Sequence, residues 1–338
     1  MKRYMILLIG FLILFATSAV SSSPPRLEKV AESDYQWTGV AISKSGRVFV
    51  NYPTWNNHPE FKVAELIDNI SVPYPNEEEN NKFICVQSIQ TDDAGNLWIL
   101  DPAKLRGQDV DVSGAKLFKI NLTTNKIEKT FVFPASVALP KSYLNDVRID
   151  TKRNFAYVTD SELGGIIVLN LTSGESWRAL TNIPEVQANL NTINFKSTGK
   201  LTRVSQSDGI ELSGDGNTLY FSALGGDRLF AISTDVLRDV VLSVSQRQKN
   251  IQVLNEKNVP TDGILLKEDK LYMGDLPNET LWVFDLKVKQ GYPLAFSEPI
   301  RWADSFALAP DGSIYFTTSE INYPLDQRKP YGLYRLVW

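Results

Sequence analysis

The chain has 338 residues, a net charge of −4 and no basic block, which makes nucleic acid a poor candidate partner. Its single cysteine, Cys85, excludes an intrachain disulfide. Its single histidine, His58, is too few for a histidine-based zinc site, and its polar loop disfavours a Ser-His-Asp triad.

The first residues have the pattern of an export signal. Lys2 and Arg3 precede an apolar run from Tyr4 to Phe15, and small residues follow it. We therefore predict that residues 1–22 are a cleaved signal peptide and that the protein is secreted or periplasmic; an uncleaved anchor is the alternative. No later run is long and apolar enough to span a bilayer. An exported protein without disulfides is more typical of bacteria than of animals.

One pattern recurs six times after the signal: a polar residue, a small or acidic residue, an alternating apolar run, a tight turn and an aromatic-rich strand. The copies are 38–49, 87–98, 145–157, 208–220, 262–272 and 304–315. Asp-Gly turns such as GDGN at 214–217 connect alternating runs, which is a strong hairpin signal. The repeat predicts an all-β, six-bladed β-propeller of four-stranded blades, in one domain over residues 23–338 and expected to be a monomer. Six hairpins in a sandwich are the alternative.

Further strands follow the hairpins in most copies, and the last copy is one strand short. The second and third copies predict strands at 116–122, 126–133, 165–171 and 175–180. After the sixth hairpin only residues 331–338 remain, and Arg26–Ala31 has the alternation needed to supply the missing strand. We therefore expect the N-terminal segment to close the ring, leaving no open sheet edge. Only Thr234–Val244 has the character of a short helix.

Polar residues concentrate at one rim of the predicted channel, where first strands begin and second strands end. The first-strand positions are Thr38, Gln87, Asn145, Asp208, Asp262 and Asp304. Seven carboxylates fall at this mouth: Asp101, Asp146, Asp160, Asp208, Asp262, Asp275 and Asp304. Packed carboxylates are costly unless a cation or a hydrogen-bond network compensates them. Oxygen ligands from successive blades, at Asn145, Asp208 and Asp262, suit Ca²⁺ or another divalent cation, and the acidic mouth would equally attract an organic amine. The alternative is that such residues cap backbone N–H groups.

Four segments resemble the yellow/major royal jelly protein family: 86–103, 157–180, 208–239 and 302–316. The long second and third segments, YVTDSELGGIIVLNLTSGESWRAL and DGIELSGDGNTLYFSALGGDRLFAISTDVLRD, are the more specific ones. The resemblance implies a secreted six-bladed propeller with ligands at the channel mouth, biogenic amines in some animal members, and dopachrome conversion in others. With the rim residues Gln87 and Asp304, it implies ligand contacts at Ser305, Thr318 and Glu320. Glu320 departs from the family's usual Asn, which puts amine specificity in question.

A more distant resemblance is to the gluconolactonase/senescence-marker propellers, which hold a divalent metal. It implies metal ligands at Thr38, Asn145, Asp208 and Asp262, with Asp262 as general base. Thr38 replaces a Glu of that family, so metal affinity should be weakened. The leading hypothesis is a propeller that binds a small ligand, with organic cations among the candidates, or a metal at its acidic mouth. A metal-dependent hydrolase of lactones and a dopachrome-type isomerase are the alternatives.

Overall fold

The described strands form six antiparallel sheets of four strands each and one separate two-stranded hairpin. The computed structural model describes residues 25–55, 59–202 and 204–338, so the predicted signal peptide at 1–22 and His58 lie outside the described residues. Blade 1 contains β2 (Val40–Ile42), β3 (Val48–Asn51), β4 (Val63–Ile67) and β5 (Ile70–Pro73). Blade 2 contains β6 (Ser88–Thr91), β7 (Asn96–Asp101), β8 (Lys116–Asn121) and β9 (Lys126–Val132). Blade 3 contains β10 (Leu144–Asp150), β11 (Phe155–Asp160), β12 (Gly165–Asn170) and β13 (Ser176–Thr181).

The remaining blades follow the same meander. Blade 4 contains β16 (Ser207–Leu212), β17 (Thr218–Ala223), β18 (Leu229–Ser233) and β19 (Gln252–Asn255). Blade 5 contains β20 (Ile264–Lys267), β21 (Lys270–Asp275), β22 (Thr280–Asp285) and β23 (Gln290–Leu294). Blade 6 contains β24 (Ala303–Leu308), β25 (Ile314–Thr318), β26 (Tyr331–Val337) and the N-terminal β1 (Arg26–Ser33). The predicted strands of the second and third copies agree with β8, β9, β12 and β13 to within one residue at each end.

The first strands of the blades surround a central channel. They contact one another in the order β2, β6, β10, β16, β20, β24 and back to β2, which closes the ring. Apolar clusters fill the spaces between neighbouring blades: one joins Leu117 of blade 2 to Val158 of blade 3, and another joins Leu281 of blade 5 to Phe316 of blade 6. The core is therefore divided among the blade interfaces, and the six-bladed propeller predicted from the repeat is confirmed.

The N-terminal strand closes the ring as expected. β1 pairs antiparallel with β26, from Arg26 opposite Val337 to Ser33 opposite Tyr331, with a bulge between Lys29 and Ala31. It is the outermost strand of blade 6, and it covers an edge of β26 that would otherwise be exposed.

Few helices interrupt the strands. They are α1 (Glu77–Asn80), α2 (Thr234–Arg238), α3 (Val244–Gln248) and two 3₁₀ turns at Pro184–Val186 and Leu325–Gln327. The single helix expected over Thr234–Val244 is two short helices, because the chain leaves the helical conformation at Asp239 and a capping box at Ser243 begins the second. Among the described residues, no helix is both apolar and long enough to cross a bilayer.

A hairpin that the repeat did not predict lies between blades 3 and 4. It consists of β14 (Ile193–Phe195) and β15 (Gly199–Leu201). Its apolar side chains form a cluster with Leu276 of the blade 5 loop and Trp302 of the blade 6 entry. The hairpin therefore reaches from one side of the ring to loops on the other side.

Candidate functional site

Three of the six inner strands carry a β-bulge at their polar first residues. The pairing register shifts between Leu144 and Val147 in blade 3, between Ser207 and Ile210 in blade 4, and between Ala303 and Phe306 in blade 6. The bulged pairs are therefore 145–146, 208–209 and 304–305. A bulge re-aims side chains that a regular strand would alternate between faces. These three bulges lie at rim positions that the sequence singled out.

Glycines beside the rim aspartates let neighbouring inner strands approach closely. A Cβ on Gly209 would lie 2.3 Å from the carbonyl oxygen of Asp262, and a Cβ on Gly263 would lie 2.3 Å from that of Asp304. The Gly263 N–H donates to the Asp304 carbonyl oxygen at 2.7 Å. The backbones of blades 4, 5 and 6 are thus in contact at the rim, which places their aspartates side by side.

We call Asn145, Asp208, Asp262 and Asp304 the acidic centre. All four are buried. The side-chain amide of Asn145 donates to Asp208 Oδ1, and the carboxyl of Asp262 lies next to that of Asp208. Asp262 Oδ2 also accepts the indole N–H of Trp302 at 2.7 Å. Two neighbouring buried carboxylates repel each other, which favours protonation of one of them or binding of a cation.

Burial and mutual repulsion shift these carboxyls in the same direction. Burial, followed by the charge of Asp262, raises the pKa of Asp208 well above its usual value. The same two causes raise the pKa of Asp304. Burial raises the pKa of Asp262 to about 6, although its hydrogen bonds to Asp208 and Trp302 oppose the rise. A site of this kind holds protons at neutral pH in the absence of a cation, and a cation would displace them.

The channel contains a positively charged side chain, Arg148, that the sequence analysis missed. The guanidinium of Arg148, on β10, pairs with Asp146 Oδ2 at 3.0 Å and with Glu211 Oε1 at 3.3 Å. It also donates to the carbonyl oxygen of Ile264 at 2.8 Å, which connects blade 3 to blade 5. Asp146 Oδ1 also accepts a hydrogen bond from the hydroxyl of Ser88 at 2.7 Å. The negative charge of Asp146 is therefore compensated inside the channel. Nothing in the sequence indicates this role for Arg148, because a basic residue at an alternating strand position is ordinary.

Three of the seven rim carboxylates hold loops rather than face the channel. Asp101 accepts the backbone N–H groups of Ile84, Cys85 and Ala103 at 2.7, 3.0 and 2.8 Å. Asp160 pairs with Arg178 at 2.8 Å, and Asp275 accepts the side-chain amide of Asn278 at 2.8 and 2.9 Å. These contacts agree with the capping alternative for these three residues.

Thr38 and Gln87 take part in hydrogen bonds that join blades 1, 2 and 3. Thr38 Oγ1 donates to the Gln87 carbonyl oxygen at 3.0 Å and accepts Asn51 Nδ2 at 2.9 Å. Gln87 Oε1 accepts the Tyr143 hydroxyl at 2.8 Å. Of the four proposed metal ligands, the structure thus brings Asn145, Asp208 and Asp262 together, whereas the hydroxyl of Thr38 is engaged elsewhere.

The sixth-blade candidates are divided between two places. Asp304 belongs to the acidic centre, and half-buried Ser305 follows it, with its N–H donating to Thr317 Oγ1 at 3.3 Å. Thr318 and Glu320 instead line a cleft of about 210 Å³ beside β1, on the side of blade 6 that faces blade 5. The residues that the resemblance groups together therefore do not form one pocket.

The hairpin β14–β15 reaches the acidic centre through Trp302. The ring of Phe195 stacks on Trp302 at 5.6 Å with an interplanar angle of 13°, and Trp302 in turn donates to Asp262. The hairpin tip is attached by Glu279 Oε1, which accepts Ser197 Oγ at 2.5 Å and the Tyr323 hydroxyl at 2.7 Å. An apolar, aromatic wall therefore lies next to the carboxyls. The sequence gives only a weak signal for this hairpin, because each of its two strands has three residues.

The donor set of the acidic centre consists of carboxyl and amide oxygens, which suit hard cations. Among the residues that the structure describes, no three His, Cys, Asp or Glu side chains are arranged as a metal site. The metal hypothesis therefore depends on two carboxyls and one amide, with Asp304 nearby.

The fold is shared with solved propellers of low sequence identity. Virginiamycin B lyase from Staphylococcus aureus superposes with a TM-score of 0.54 at 14% identity, over 93% of this chain and 99% of that one. A luciferin-regenerating enzyme superposes with a TM-score of 0.59 at 11% identity, over 93% of this chain and 95% of that one. At these identities the likeness establishes the fold alone.

Sequence comparison is more specific. Protein yellow of Drosophila madeirensis is 30% identical over 248 residues, which are 63% of this chain and 42% of that protein. Protein yellow of Drosophila guanche is 30% identical over 257 residues, 65% of this chain and 44% of that protein. The chain thus spans less than half the length of these relatives. The family model described as major royal jelly protein matches residues 84–270, more than half of the chain. The chain therefore belongs to the major royal jelly protein family.

Proposed function

We propose that this protein binds a small cation at the acidic centre, with Ca²⁺ or another divalent ion as the first candidate. The observation that carries the proposal is the burial of three neighbouring carboxyls, Asp208, Asp262 and Asp304, in one channel. Among the described residues, none of these three forms an ion pair, because Arg148 is engaged by Asp146 and Glu211. The centre thus carries an excess of acid that only protons or a cation can compensate.

A divalent ion fits the chemistry of these ligands. It would displace the protons held by the carboxyls and be coordinated by side-chain oxygens of Asn145, Asp208 and Asp262, which belong to three successive blades. An organic cation is the second possible occupant, since the aromatic pair of Phe195 and Trp302 lies beside the carboxyls. The ion is preferred because all the residues of the centre are buried.

Calorimetry tests the proposal. A ligand that binds only the folded state stabilises it by about 2.7 kcal/mol at a hundred times its Kd. We expect the Tm of the wild type to rise with Ca²⁺ concentration and to fall with chelator, and Asp208→Asn with Asp262→Asn to abolish the response. The matched control is Asp93→Asn with Asp235→Asn, which removes two carboxylates whose side chains are 84% and 82% exposed.

The outcomes of the calorimetry distinguish a bound metal ion from a bound organic cation. A wild type that responds to neither Ca²⁺, Mg²⁺ nor chelator does not use this centre for a metal. If tryptamine raises the Tm where the ions do not, and the double variant loses that response, the occupant is an organic cation.

Hydrolysis of a lactone is a second candidate function, favoured by the pKa of Asp262. Burial raises that pKa to about 6, so the carboxyl can exchange a proton near neutral pH, as a general base must. The assay is hydrolysis of a gluconolactone with and without a divalent ion. Activity that rises through pH 6 and is lost in Asp262→Asn supports the enzyme, and equal rates in the variant and the wild type exclude it.

We further propose export, supported by the signal-like composition of residues 1–22. N-terminal sequencing of the exported protein should begin between Val20 and Pro24. A protein that retains Met1 would contradict this proposal.

A further inference from the structure

A cleft on blade 6 has no place in the channel chemistry. It has a volume of about 210 Å³ and lies between β1, the loop that enters β24 and the ends of β25 and β26. The lining residues that matter here are Leu27, Ile300, Arg301, Glu320, Lys329 and Pro330. Its volume is below the roughly 300–1,000 Å³ of pockets for drug-sized ligands, so its occupant must be small.

A carboxylate and a guanidinium, those of Glu320 and Arg301, lie side by side in the wall of this cleft. The side chains of Glu320 and Arg301 are 4% and 20% exposed, and Arg301 Nη1 lies 3.4 Å from Glu320 Oε2. Glu320 Oε2 also accepts the backbone N–H of Lys329 at 2.7 Å. The guanidinium of Arg301 lies over the ring of Tyr323, 4.1 Å from its centroid. Both charged groups are therefore held in place by packing as well as by each other.

Each of the two groups keeps hydrogen-bonding capacity. Glu320 Oε1 accepts no donor from the described residues, and Arg301 donates to them only through its long contact with Glu320. A guanidinium carries five N–H donors, and a carboxylate can accept about four hydrogen bonds. The cleft thus presents an acceptor and several donors next to each other, with apolar Leu27, Ile300 and Pro330 around them.

We propose that this cleft binds a small zwitterion, specifically an α-amino acid with an apolar side chain. Its ammonium would donate to Glu320, its carboxylate would accept from Arg301, and its side chain would contact Leu27 and Ile300. A simple amine would leave Arg301 unsatisfied and meet repulsion from Lys329, whereas a simple acid would meet repulsion from Glu320. A ligand whose ammonium and carboxylate are attached to the same carbon satisfies both Glu320 and Arg301.

Three related probes test the charge requirement on the unmodified protein. They are L-leucine, 3-methylbutylamine, which lacks its carboxylate, and 4-methylpentanoate, which lacks its ammonium. Isothermal titration calorimetry should show saturable binding of leucine and at least tenfold weaker binding of each analogue. Absence of saturable leucine binding, or equal affinity for either analogue, overturns the proposal.

Variants locate the binding. Glu320→Gln keeps an oxygen for the Lys329 N–H, so the local fold is retained, and Arg301→Gln keeps a polar side chain. Each should weaken leucine binding by about 10- to 100-fold, since each removes a hydrogen bond to a charged group. Glu28→Gln is the control, because Glu28 pairs with Arg335 at 2.7 Å and does not line the cleft. Unchanged affinity in both cleft variants overturns the proposal.

Discussion

The buried carboxyls of the acidic centre give the protein an unusual dependence of stability on pH. Most aspartates in folded proteins have lowered pKa values and stabilise the fold as pH rises. Asp208, Asp262 and Asp304 have raised pKa values, so the folded state holds protons that the unfolded state releases near pH 4. Their contribution to stability is therefore complete below that pH and is lost as pH rises through the folded pKa, which is about 6 for Asp262.

We expect Asp208→Asn with Asp262→Asn to flatten the fall in stability between pH 4 and pH 7. In the wild type with chelator, the raised pKa values of these carboxyls should make stability fall over this range. Urea unfolding at a series of pH values measures the difference between the two proteins. The exposed double variant Asp93→Asn with Asp235→Asn should keep the wild-type profile. Parallel profiles for wild type and the channel variant would show that these carboxyls are ionised in the folded state.

A single methyl group should disrupt the contact between inner strands. Gly209→Ala places a Cβ 2.3 Å from the carbonyl oxygen of Asp262, far inside van der Waals contact, and a backbone atom cannot move aside cheaply. We expect a loss of at least about 1–3 kcal/mol in the free energy of unfolding. Gly214→Ala is the control, since nothing lies within 4 Å of its added Cβ. Equal unfolding midpoints for the two variants would contradict the close packing at the rim.

At the scale of elements, β1 is the part of the chain on which ring closure depends. Its hydrogen bonds to β26 join the two ends of the described chain, and Leu27 packs against the cluster between blades 5 and 6. No other described strand covers that edge of β26. Without β1, blade 6 would expose a long unpaired edge, which promotes association with other chains.

Removal of residues 26–33 should therefore cause aggregation or loss of cooperative unfolding. A protein that begins at Pro25 serves as the control, because it retains all of β1. Light scattering and thermal melts compare the two. A truncated protein that stays monomeric and melts at the temperature of the control would mean that β26 does not need its partner.

The hairpin β14–β15 adds a second element that joins distant blades. It leaves the ring between blades 3 and 4, and its tip is attached to Glu279 of blade 5 and Tyr323 of blade 6. Trp302, which it covers, has a left-handed backbone with φ of 61°, a conformation that a bulky residue adopts only when its surroundings impose it. The hairpin and the acidic centre are thus mechanically connected through one strained residue.

At the scale of the whole molecule, a closed ring links the unfolding of one blade to that of its neighbours. Each blade interface has its own apolar cluster, and no described blade lacks a partner on either side. Cys85 lies inside this arrangement with no solvent exposure, and burial raises the pKa of its thiol to about 12. The thiol is therefore both inaccessible and un-ionised in the folded protein.

Labelling of Cys85 should report global unfolding. At pH 8 we expect a thiol reagent to leave the native protein unmodified and to react fully in the urea-unfolded protein. Across intermediate urea concentrations, the labelled fraction should follow the loss of circular dichroism. Rapid labelling of the native protein would mean that the entry to blade 2 opens locally.

The blades and their closure could be predicted from the sequence because their signals are local. Alternation of apolar residues and Asp-Gly turns act over a few residues, and the repeat counts the blades. The shortage of one strand in the last copy was enough to assign β1 to blade 6, and the register of β1 against β26 agrees. The same local logic placed Asn145, Asp208 and Asp262 at one rim, since equivalent positions of successive blades must face the channel.

The tertiary structure alone decided which rim residues act together. Asp101, Asp160 and Asp275 end second strands at the same rim where the channel carboxylates begin first strands. Backbone N–H groups, Arg178 and Asn278, respectively, engage them. Arg148 had no signal, because one basic residue on an alternating strand is ordinary until its neighbours across the channel are known. The sequence by itself therefore determined the number, order and closure of the blades, whereas the partners of each carboxyl depended on groups far apart in the chain, whose distances only the assembled ring sets.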